Sequence, residues 1–137
     1  MTARLHPLRW PLDMMVELRE QGCCALPVRV VDIALDCCRL WAGFRMHARR
    51  GATMHITDFA PIGATILWSE AYYAELRFDA ALHPAILDHL VRTFPPVDAD
   101  EIADHIARME ALRRDLSDAD PLARDRPDIV GCGLRRG

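Results

Sequence analysis

The stretch VRVVDIALDCCRLWAGFRMHARR, residues 28–50, decides how the rest of this chain is read. Its charged residues Arg29, Asp32, Asp36 and Arg39 recur at steps of three and four, so on a helix they form one narrow polar stripe. Around that stripe stand Val28, Val30, Val31, Ile33, Leu35, Cys37, Cys38, Leu40, Trp41, Phe44 and Met46. A helix apolar over more than half its circumference must be covered from several sides. Pro27 before the stretch suits a first helical turn, and Gly51 after it suits a stop. The spacing therefore predicts a central, mostly buried helix over 28–50. With it comes a mainly α fold, a compact single-domain bundle of about five helices.

Toward the N-terminus, residues 1–10 read as a loosely attached lead. Trp10-Pro11 then opens a short helix with Leu12, Met15, Val16 and Leu18 apolar, ended by Gly22. Toward the C-terminus, residues 52–79 carry two competing patterns. As a helix capped at Thr57 or Asp58, they place Ala60, Ala64, Leu67, Ala71, Ala74 and Phe78 on one line. As strands, Tyr72, Ala74, Leu76 and Phe78 alternate with Tyr73, Glu75, Arg77 and Asp79, and Ala60-Pro61-Ile62-Gly63 makes a turn. The helical register holds over 60–78 and the alternation only over 72–79, so the helix is preferred. A small antiparallel sheet within 52–79, which makes the fold α+β, is the competing reading.

Two further helices are better marked. Ile86, Leu87, Leu90, Val91 and Phe94 form an apolar face behind Pro84, and Pro95-Pro96 ends it. Asp98 caps the next helix, Asp100 and Glu101 sit at its positive end, and Ile102, Ile106, Met109 and Leu116 make a thin apolar line suited to an outer helix or a seam with a second copy. The helical domain is thus expected over 1–116, with a poorly structured or docked tail over 117–137, where Asp and Arg alternate with Pro121 and Pro127.

Composition narrows the function classes. A chain of 137 residues, 51% hydrophobic and 27% charged, with net charge −3, is one ordinary globular domain with no pull toward nucleic acid or anionic membrane. No secretory signal and no apolar run long enough for a membrane span is read, so a cytoplasmic location is expected. Five cysteines, two adjacent pairs plus Cys132, give no disulfide framework and no C-x-x-C spacing.

No catalytic constellation stands out. The serines are Ser69 and Ser117 alone, neither within G-x-S-x-G, and no glycine-rich phosphate loop precedes a helix. Glu101 and His105 are four apart and on one helix face, which allows a metal-dependent enzyme as a third reading, but there is no H-E-x-x-H. Arg45, His47, Arg49, Arg50 and His55 form one basic cluster, and a dimeric DNA-binding regulator is the second reading. The first, reached by elimination, is a small non-enzymatic accessory protein, adaptor or inhibitor that binds a larger protein or complex. By analogy of size and type, a phage or other mobile element encodes proteins of this kind. No cofactor or metal is expected, nucleic acid is disfavoured, and a homodimer is compatible. The candidate contact residues are Trp68, Tyr72 and Tyr73, then the acidic Asp98, Asp100, Glu101 and Asp104, with Arg45, Arg49 and Arg50 as the opposite pole.

Overall fold

Burial from Trp10 to Phe78 follows a period of two, not a helical repeat. The computed structural model describes residues 9–118. In it Leu12, Met14, Val16, Leu18 and Glu20 are buried while Glu17 and Arg19 face outward and Met15 is 61% exposed. Strand β1 (Trp10–Glu20) therefore replaces the short helix expected there, because Met14 and not Met15 belongs to the core.

The rod expected over 28–50 is broken as well. It is β2 (Ala25–Ile33), a turn at 34–36 closed by Ala34 N–H donating to the Cys37 carbonyl, β3 (Cys37–Trp41), and a loop over 42–50. The misleading spacing has a specific cause. The β2–β3 ladder shifts between Val30 and Asp32, and across this irregularity Val28, Val30 and Ile33 join the barrel interior. Val31 and Asp32 both lie on the outer side, among an apolar cluster and a set of ion pairs. That bulge and the tight turn set the charges at 29, 32, 36 and 39. Both faces of β2 are covered, so its sequence shows no clean alternation and periodicity alone cannot tell it from a helix.

The remaining strands are β4 (Gly51–His55), β5 (Ile62–Glu70) and β6 (Tyr73–Phe78). All pairings are antiparallel, and the order β1-β2-β3-β6-β5-β4, with β4 returning to β1, closes a six-stranded barrel. The mainly α bundle is thereby overturned. Within 52–79 the chain takes the paired-strand alternative: Ala64, Ala74, Leu76 and Phe78 point into the barrel, and Ala71 sits in a turn rather than on a helix face. Closure leaves no open sheet edge to protect.

Two helices follow the barrel, where their caps mark them. In α1 (Pro84–Thr93) the His83 side chain accepts from Ala85 N–H, and Leu87 and Leu90 enter the same core as the barrel interior. This helix plugs the end formed by 34–36, 56–61 and 79–83, and Asp13 N–H reaches the Phe94 carbonyl. In α2 (Ala99–Asp118) Asp98 Oδ1 accepts from Glu101 N–H at 3.1 Å. Ile102 and Met109 pack on Val31, Trp68 and Tyr73, so α2 lies across the outside of the barrel. Neither helix is long and apolar enough to cross a membrane. The lead expected over 1–10 and the tail over 117–137 fall, apart from residues 9, 10, 117 and 118, outside the described residues.

Candidate functional site

The barrel end away from α1 is built from three connections, and their geometry gives the recess between them its shape. Between β1 and β2 the chain turns at Gly22, whose φ of 84° suits glycine, and Gln21 N–H donates to the Gly51 carbonyl. Between β5 and β6 only Ala71 and Tyr72 intervene, with φ of 53° and 69°. Two left-handed residues in a two-residue hairpin are what a type I′ turn requires, and Asn-Gly is the usual solution. Ala-Tyr holds the same shape under strain. The third connection is the loop 42–50, in which Arg49 has φ of 72°. Three of the four left-handed non-glycine residues among those described thus lie at this end.

Together these connections enclose a recess of about 770 Å³. Leu18, Phe44 and Met46 supply apolar wall, Leu26 and Tyr72 stand at its mouth with 38% and 48% of their surface exposed, and Arg45 and Glu70 add opposite charges at the rim. The lining carries a polar pair. Glu20 is the last inward position of β1 and only 6% exposed, so its carboxylate must be satisfied from within. His47 does this twice, through Nδ1 at 2.8 Å and its backbone N–H at 3.2 Å, which pins the loop 42–50 to β1. With Nδ1 engaged, Nε2 is the ring atom left to meet a ligand. Nearby, Arg50 Nη1 donates toward Cys23 Sγ at 3.9 Å, and Cys24 is exposed. The thiols of β3 are of another kind: burial pushes Cys37 up to about 12 and Cys38 well above the ordinary range.

A second polar cluster lies under α2. Asp32, Arg39, Glu75 and Trp68 stand opposite one another across β2, β3, β6 and β5. Arg39 Nε meets both Asp32 oxygens at 3.0–3.1 Å, and the Trp68 indole donates to Glu75 at 2.8 Å. Arg9 reaches Glu75 at 2.6 Å, and Arg113 of α2 joins the same carboxylate. Burial alone raises Glu75, but the bond and charge of Arg9, the indole and Arg113 outweigh it and hold the carboxyl below its usual range. Every carboxylate here is engaged, so the cluster fastens a helix to a barrel.

The residues singled out from sequence are scattered by this fold. Tyr72 and Arg45 meet at the recess; Arg49 is exposed and Arg50 half-buried on the same loop. Trp68 and Tyr73 are buried beneath α2 and only Tyr72 is exposed, so the three aromatic candidates do not form one contact surface. Asp98 is spent on the α2 cap, Glu101 is bonded through both oxygens to Arg29, and Asp100 and Asp104 are exposed on that helix, apart from the recess. The short helix over Trp10–Glu20 and the long helix over 28–50, on which the DNA-binding reading would have to rest, are strands, and His47 of the basic cluster is tied to Glu20. For the metal reading, His105 Nδ1 lies 2.6 Å from the Tyr73 hydroxyl. Sequence reasoning missed Glu20. The signal was its place at the end of the alternating run Leu12, Met14, Val16, Leu18, a carboxylate in phase with the core.

No family model matches the chain, and no curated protein matches it in sequence.

Proposed function

We propose that this is a small non-enzymatic accessory protein, an adaptor or inhibitor, that binds a larger protein or complex through the recessed loop end of its barrel. What supports this most is Tyr72: a large amphipathic side chain, half exposed, held at the mouth of a recess by a turn that disfavours it. Left-handed L-residues are disfavoured by about 1–2 kcal/mol each, and such strain concentrates where geometry serves binding. Aromatic anchors beside a pocket, rimmed by polar groups, are the usual make-up of a binding hot spot. Arg45 and Glu70 supply that rim here.

The test places a photo-crosslinking amino acid at Tyr72 and, separately, at Met15 on the outer face of β1, in the native host. A discrete protein adduct from position 72 and none from position 15 is expected. With the adduct purified as a partner, Tyr72→Ala should weaken its binding roughly thirtyfold, on the order of 2 kcal/mol, while the far-ultraviolet spectrum stays that of a barrel. Adducts from both positions alike, or from neither, would remove this end from consideration.

A further inference from the structure

We propose that α2 is an acid-released clasp and that His105 is the sensor that opens it. The geometry rests on a buried histidine held against a buried phenol. His105 faces the barrel from α2, with Nδ1 2.6 Å from the Tyr73 hydroxyl of β6 and its ring 5.8 Å from that of Trp41 on β3 and edge-on to Tyr73 at 5.6 Å. With the neutral ring protonated at Nε2, the nitrogen on the Glu101 side, the phenol donates to Nδ1. Once Nδ1 carries a proton, the bond must reverse: the ring donates to the phenol oxygen, and the phenol hydrogen loses its acceptor in a buried place.

The charged surroundings do not compensate. On β2, Arg29 hydrogen-bonds both Asp13 of β1 and Glu101 of α2, so Glu101, the carboxylate that pulls most on an imidazolium here, already shares a cation. Glu101 Oε2 stands 3.8 Å from His105 Nε2, beyond hydrogen-bond range. Asp104 and Arg108 act from α2 itself, and Trp41 and Tyr73 bring no charge from β3 and β6. Burial, then Arg29, press the His105 pKa below 6.5, ahead of the opposing pull of Glu101. The docked helix thus binds fewer protons than the undocked one, and docking weakens as pH falls below that ordinary value. Release uncovers Val31, Trp68 and Tyr73, apolar side chains that α2 hides at neutral pH.

Hydrogen exchange of the full chain at pH 7.5 and 5.5, corrected for intrinsic rates, reads this out. Protection over 102–116 is expected to drop severalfold, and by about tenfold at most because pH 5.5 lies one unit below the ordinary histidine value, with α1 unchanged, and His105→Phe should abolish the drop. His47, His55, His83 and His89 persist in that variant, so they serve as the internal control. Equal protection at both pH values, or the same loss in His105→Phe, overturns the proposal. Should His105→Phe fail to fold, the His105 pKa read by NMR in the wild type decides: below 6.5 supports the clasp, at or above it overturns it.

Discussion

Ala71 and Tyr72 carry a strain that neither side chain relieves, and their φ angles of 53° and 69° make it open to measurement. Glycine at position 71 reaches the same conformation without the Cβ clash but adds freedom to the unfolded chain. The strain is the larger of the two, so Ala71→Gly should stabilise the protein by about 0.5–1 kcal/mol in urea denaturation. Tyr72→Gly should also gain turn stability yet lose partner binding. A turn held at its present sequence for folding alone would show no such divergence between stability and binding.

The clamp between α2 and the barrel separates buried from exposed charge. Glu75 is nearly buried and serves Arg9, Arg113 and the Trp68 indole, whereas the Arg113 side chain is 52% exposed. Removing one partner of a buried pair leaves uncompensated charge, so Glu75→Ala should destabilise by about 3–5 kcal/mol. Arg113→Ala should change stability by less than about 1 kcal/mol, because its end of the contact is solvated. Denaturant titration of both variants checks the contrast. At the other end of the barrel, Glu20→Leu takes away the acceptor of the His47 N–H and ring and should cost about 1–3 kcal/mol. Its effect belongs to the loop: without the carboxylate that receives His47 N–H and Nδ1, amide exchange over 43–50 should rise while the strands stay protected.

Acid stability follows from the same groups taken together. The Arg29 hydrogen bond holds Asp13 low, and the balance of burial against Arg9 and its neighbours holds Glu75 low. A carboxylate with a depressed folded-state pKa contributes stability above its unfolded value that is lost as pH falls through the folded one. The depressed His105 acts in the same sense from higher pH: its contribution is present above 6.5 and lost below. In both windows the unfolded chain binds more protons. Melting temperature should therefore decline in two stages on acidification, first below about 6.5 and then more steeply below about 4. A melting temperature that holds level from pH 7 down to 4.5 would contradict this.

What the amino-acid order determined by itself was local. His83 with Pro84, Asp98, and Pro95-Pro96 set where α1 and α2 begin and where α1 must stop, because capping is settled within one helical turn. The run Leu12, Met14, Val16, Leu18, Glu20 likewise held the strand period and the buried carboxylate in plain view. Tertiary structure alone decided the barrel. Val31 and Asp32 are covered by a helix some seventy positions onward, which hides the alternation of β2, and the bulge beside them imitates a helical step. It also decided the site, since Tyr72, Phe44, Leu18 and Glu20 become neighbours only when β4 returns to β1 and the barrel closes. Caps and turns depend on contacts between near neighbours in the chain; a recess between three connections depends on which strands pair, and no single window of sequence contains that information.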